Sequence, residues 1–277
     1  MTIFENSINR NVDRELFFNI LEKKYGDGKD TWNYTYGDVS SWFTWVRDDQ
    51  GKFQYSRSVG KGYGISFLDK HFDSWNVNDP NRKFWEKLPN LDEFLKKLTT
   101  DIIFVGLNMS GNGTPLDWPP FSNARNHRNI IKLLIDTAAE GAYFTDIIRH
   151  DERILKLLEA DKSKASEGDK VYKIVKNDKG TILKEHFSLF KNELDYIGAK
   201  KPLLITFGGA AAGILEKGFD RGYLKKNDYH VKNIAHYSNA SFDAIAKNWN
   251  EKLKEFITIP IDKETLKKKW LHHGILF

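Results

Sequence analysis

Asp101-Ile-Ile-Phe-Val-Gly-Leu-Asn-Met-Ser-Gly-Asn-Gly113 decides how this chain is read. Ile102 to Val105 form an apolar run of strand length that stops at Gly106, and Ser110, Gly111 and Gly113 follow with turn character. A continuous apolar run fits a strand buried on both faces, the central strand of a parallel sheet. In open parallel sheets the ligand sits beyond the carboxyl ends of the strands. That puts Asn108 and the Gly/Ser loop at the mouth of a site. An ordinary strand exit, whose Asn only caps a turn, fits the stretch as well.

Working outward, the same grammar recurs. Ala142 to Ile148 reads as a second strand, holding a polar pair, Thr145-Asp146, where a buried strand would not want one. Pro202 to Phe207 is a third strand, and Gly208-Gly209 then opens a small-residue helix from Ala210 to Leu215. Such a start leaves bare backbone N–H groups. Tyr229 to Ala235 is a fourth strand leading into His236-Tyr-Ser-Asn-Ala-Ser241, and Ser241 suits the N-cap of a helix through Phe256. Helices are also expected at Val12 to Tyr25, Asn90 to Leu98, Ile130 to Ala138 and Ile182 to Ile197, from their apolar stripes.

Strand and helix thus alternate from Ile102 to Phe256. The expected fold is an α/β three-layer sandwich with a mainly parallel four-stranded central sheet, plus an aromatic-rich N-terminal extension. The division expected is an extension over 1–98 packed on the core, an α/β domain over 99–262, and a basic tail over 263–277. Residues 151–180 are Lys-rich with Ser and Gly, and read as a solvated insertion or mobile flap. Trp42 to Val46 and Phe53 to Tyr55 resemble a hairpin. The aromatics there would pack on the main body or offer a base-stacking surface.

The chain has 277 residues and no Cys, so structural disulfides, thiolate zinc sites and Cys-ligated clusters are excluded. A net charge of +5 with interspersed signs permits a phosphate-bearing partner without demanding one. The start lacks a basic region followed by an apolar stretch, and no apolar run reaches membrane-spanning length. A cytoplasmic monomer without membrane association is expected. The His residues show no metal-ligand spacing, so no metal or cofactor is expected. No nucleophile elbow and no P-loop appears.

The ordered loops resemble those of the uracil-DNA glycosylase superfamily, nearest its mismatch-specific and single-strand-selective branches. Gly106-Leu107-Asn108-Met109-Ser110 is similar to the family's Gly-x-Asn-Pro-Gly loop. Gly111-Asn-Gly113 and Pro120-Phe121 match its Gly-rich stretch and Pro-Phe pair, and Thr145-Asp146 its Thr-Asn strand end. Phe207 to Ala212 and His236-Tyr237-Ser238 match its small-residue stretch and its His-Pro-Ser loop. The resemblance covers roughly Thr99 to Phe256.

It implies a glycosylase acting on an everted or single-stranded nucleotide of DNA, without a metal. Asn108 would place the attacking water and His236 would stabilise the departing base anion. Phe121, Asp146 and Leu107 would hold the base. Ser110, Gly111, Gly113, Ser238 and Arg125 would hold phosphates. Three departures stand out: Met109 and Tyr237 replace prolines, and Asp146 replaces the base-reading Asn. Ionised Asp only accepts hydrogen bonds, which suits an exocyclic amine better than uracil O4, whereas a protonated Asp still donates. The rival expectation is a catalytically silent nucleic-acid-binding protein of the same fold. A small-molecule nucleoside hydrolase is a third.

Overall fold

The computed structural model describes residues 1–10, 12–24, 35–36, 40–43, 92, 95–108, 127–149, 151–178, 180–237 and 241–272, with backbone alone for 21, 22, 41, 108, 127, 128 and 131. Five strands are described: β1 (Ser40–Trp42), β2 (Thr99–Asn108), β3 (Ala142–Ile148), β4 (Leu203–Phe207) and β5 (His230–Ile234). They form one sheet in the order β1-β3-β2-β4-β5. The last four are parallel, and β1 runs antiparallel along β3 with Ser40 opposite Thr145 and Trp42 opposite Tyr143. The extension therefore supplies an edge strand of the sheet. The remainder of the hairpin expected at Trp42 to Tyr55, from residue 44 on, lies outside the described residues, as do residues 90, 91, 93 and 94 of the helix expected at Asn90 to Leu98.

Nine α-helices are described: α1 (Ile3–Ser7), α2 (Arg14–Glu22), α3 (His127–Leu134), α4 (Glu152–Ala160), α5 (Glu167–Asn177), α6 (Thr181–Tyr196), α7 (Gly208–Asp220), α8 (Phe242–Leu253) and α9 (Lys263–His272). Strand alternation sorts them into two layers. Ile103 and Val105 of β2 pack with α4, α5, α6 and α7, while Ile102 and Phe104 pack with α3, α8 and α9. The result is the three-layer α/β sandwich that the alternation of elements implies.

Residues 151–180 correct the sequence reading. They are not a solvated flap but two capped helices whose Ile154, Val171 and Val175 are buried in the core. The high charge density belongs to the outward faces. Val171 and Val175 stand at i, i+4, enough to bury one stripe of α5. The basic segment at the C-terminal end is likewise docked rather than loose. Leu266 and Trp270 of α9 are buried, and the Trp270 indole N–H donates to the Lys132 carbonyl at 3.1 Å.

Topology places the site. From β2 the chain crosses over α3 to β3 on one side. From β4 it crosses over α7 to β5 on the other, on the opposite face of the sheet. The two connections diverge at the carboxyl ends of β2 and β4, the topological switch point where open α/β sheets bind ligands.

Candidate functional site

Asp146 stands on β3 directly beside Gly106 of β2, in parallel register. Any side chain at position 106 would collide with it, because a Cβ there would overlap the Asp146 carboxylate. Gly106 is thus what makes room for an acidic group inside the sheet. Asp146 is 2 % exposed, and its Oδ2 has no hydrogen-bond partner. Burying an ionised, unpaired carboxylate is very costly, so the group resists ionisation. Burial pushes it up to about 7, against the pull of the Arg149 guanidinium and with a further push from Glu193. Near neutral pH a large share of molecules carries the acid form, with one O–H donor and one carbonyl acceptor.

The neighbouring polar residue takes the opposite course. Thr145 points to the other face of the sheet, where its hydroxyl donates to Glu193 of α6 at 3.0 Å. Tyr143 Oη lies 2.8 Å from Glu193 Oε1 and 2.6 Å from Ser40 Oγ. Ser40 in turn donates to the Tyr36 carbonyl at 2.6 Å. Arg149 pairs with Glu193 through its Nη2, and the two side chains are 1 % and 0 % exposed. The Arg149 backbone N–H donates to His186 Nδ1 at 3.1 Å, and His186 Nε2 lies 3.3 Å from Asp151 Oδ2. Burial lowers His186 below its ordinary value, which keeps it neutral with the proton on Nε2, facing Asp151.

On the other flank, β5 runs into His236 and Tyr237. Both ends of this turn are anchored to helices. The Ala235 N–H donates to Asn248 Oδ1 at 2.7 Å, and the Trp249 indole donates to the Ala235 carbonyl at 2.9 Å. The Tyr237 carbonyl accepts from Asn129 Nδ2 of α3 at 3.2 Å. His236 and Tyr237 stack at 4.3 Å, and the Phe207 ring meets Tyr237 edge-on at 5.4 Å. Gly208 follows at φ +75°, a left-handed conformation that lets α7 start directly from β4, with no side chain capping it. Burial lowers His236, so its imidazole is neutral at pH 7. Burial, then the charge of Asp146, pushes the Tyr237 hydroxyl up. That coupling puts Tyr237 and Asp146 within electrostatic reach of each other.

Of the residues singled out in the sequence, Asp146 on β3 and His236 just past β5 both lie toward the carboxyl end of one sheet, with β2 and β4 between their strands. Asn108 closes β2 in register with Ile148, two residues beyond the Gly106–Asp146 pair. Leu107 packs on the α4–α7 side, among the core residues there, and is not brought together with Asp146. Phe121, Ser110, Gly111, Gly113, Ser238 and Arg125 lie outside the described residues. Gly106, Arg149 and Glu193 were not singled out as site residues. Glu193 had a signal nonetheless, because it falls on the apolar stripe of α6 with Leu183, Phe187, Phe190 and Leu194, where a charge needs a buried partner.

Among the described residues no three His, Asp or Glu side chains are grouped to hold a metal ion, and no helix is long and apolar enough to cross a membrane. Against known proteins, no family model, no curated protein and no solved structure matches this chain.

Proposed function

We propose that the protein is a DNA glycosylase-like hydrolase that cleaves the N-glycosidic bond of uracil or another deaminated base. The observation that carries this reading is Asp146, a carboxyl group buried at the switch-point end of the sheet with an oxygen left unpartnered. A structural carboxyl in that position would have acquired partners, as Glu193 did. In its acid form Asp146 offers a planar donor and acceptor side by side, complementary to the O4 and N3–H edge of uracil or the equivalent edge of hypoxanthine.

The chemistry asked of the remaining residues is modest. Water adds to the sugar carbon as the C–N bond breaks, and the electron pair leaves with the base. The water's second proton passes to solvent or to the departing base. Asn108 would place that water, since an amide is too weak a base to deprotonate it. A neutral His236 would donate an N–H to the developing base anion, a hydrogen bond that strengthens as charge builds.

The test is release of free base from oligonucleotides containing uracil, hypoxanthine or xanthine. Release from at least one of them, abolished in Asn108→Ala, is expected. Because the acid form of Asp146 reads the base, release should fall as pH rises through about 7, and Asp146→Asn should remove that alkaline decline. Salt-dependent binding with no release from any of the three would instead establish the silent nucleic-acid-binding protein.

A further inference from the structure

We propose that Glu193 is a positioning residue for this site: it holds the Arg149 guanidinium in a pair on the far face of β3 and so keeps the Asp146 carboxyl unpaired. The inference rests on the reading of Asp146 as the ligand-facing group.

The geometry is a competition between two buried carboxyl groups for one guanidinium. Arg149 leaves β3 three residues after Asp146 and has a side chain long enough to serve either face of the strand. Glu193 wins because strand alternation arms its side only. Tyr143 and Thr145 point at it, and their hydroxyls together with Arg149 surround its two oxygens. Burial raises Glu193 above its ordinary value, and the Arg149 guanidinium and the Thr145 hydroxyl pull the other way by favouring the ionised form that keeps the guanidinium. Asp146, one residue from Thr145 but on the opposite face, receives none of these donors. Among the described residues, the charged or titratable groups acting on Asp146 are Arg149 after β3, Glu193 from α6 and Tyr237 after β5. Of these only Arg149 could neutralise an ionised Asp146. Left to itself it would form the ordinary Asp–Arg pair, and the donor that reads a base edge would be lost.

The experiment follows the Asp146 carboxyl by 13C NMR in the full-length chain, with its resonance identified by its loss in Asp146→Asn, alongside base release. In Glu193→Gln, which keeps the hydroxyl contacts but frees the guanidinium, the Asp146 midpoint should fall by about one to three pH units. Base release at pH 7 should drop with it, about fivefold for a one-unit fall and several-hundredfold for three. Arg149→Met should move the midpoint the other way, upward. The double variant, which replaces the pair by neutral groups, should bring the midpoint back toward about 7 and recover release. An unchanged midpoint in Glu193→Gln overturns the inference, and so does a double variant that regains neither property. Should Glu193→Gln not fold, Arg149→Met and the double variant decide the matter, and a midpoint that fails to rise in the first overturns it. Should the unaltered protein release no base, the glycosylase reading falls, while the titrations still decide whether Glu193 withholds Arg149.

Discussion

An aspartate that titrates near 7 when folded and near 3.8 when unfolded holds its proton more tightly in the folded chain. Between those two values the folded state binds more protons than the unfolded one, so stability falls as pH rises. The loss is complete above the folded value, and by the size of the interval it is on the order of 4 kcal/mol. Asp146→Asn removes the ionisation altogether. The variant should unfold at a higher temperature than the parent at pH 8 to 9, and the two should converge toward pH 4. A thermal melt across that range checks this, and equal melting points at alkaline pH would refute it. A residue whose replacement stabilises the protein is one retained for something other than stability. Asp151 shows the opposite sign. Burial alone would raise its carboxyl, but hydrogen bonds from His186 and Arg153 hold it well below the usual carboxylate range. Its contribution is present near neutrality and fades only in strong acid, which marks it as part of the scaffold.

Helix packing decides a second outcome. α7 rests on α6 at Gly218, where a Cβ would run into the Phe187 ring. Two effects oppose each other in Gly218→Ala. Helix propensity favours Ala by about 1 kcal/mol. Overpacking a closed contact costs about 1 to 3 kcal/mol, and a fully buried ring has little room to retreat. The clash should win, and Gly218→Ala should lower the denaturant midpoint with the slope of the transition unchanged. A variant more stable than its parent would mean that the two helices can separate at no cost. The same elements show what a sequence makes legible. β2, β3 and β4 stand out as largely apolar runs, because a strand covered on both faces favours apolar side chains, whereas the edge strand β5 is polar and only partly buried. Residues 151–180 mislead, because α4 and α5 are buried along one narrow stripe and charged everywhere else. Asp146 and His236 can be found from their strands, and Glu193 from its place on an apolar helix stripe, whereas the roles of Gly106 and Arg149 cannot, because they depend on which neighbours the register brings alongside.

At the scale of the whole molecule, the described residues among the first 43 are built into the fold rather than appended to it. The Thr2 hydroxyl donates to the Phe256 carbonyl at 2.6 Å, and Glu5 Oε1 accepts from the Thr258 N–H at 2.7 Å, so the start of the chain closes on the segment between α8 and α9. Arg10 donates to the carbonyls of Lys97, Ala138 and Glu140 and ties together the turns that feed β2 and β3. Val12, Phe17, Ile20, Tyr36, Trp42 and Phe43 are all buried. At about 1.5 to 3 kcal/mol for each large apolar side chain, their burial is worth on the order of 10 kcal/mol, as much as the entire stability of an ordinary domain. Removing the segment would also uncover the β3 edge and take Ser40 from Tyr143, whose hydroxyl reaches Glu193. A chain begun at residue 44 should therefore show no cooperative unfolding transition and rapid amide exchange throughout β3. A chain ended at residue 262 loses the far smaller buried area of Leu266 and Trp270, and should still melt cooperatively at a temperature several degrees lower. A stable, cooperatively melting protein lacking residues 1–43 would show instead that the parallel sheet and its helices are self-sufficient. The Ser40–Tyr143–Glu193–Arg149 chain would then have no part in holding the site.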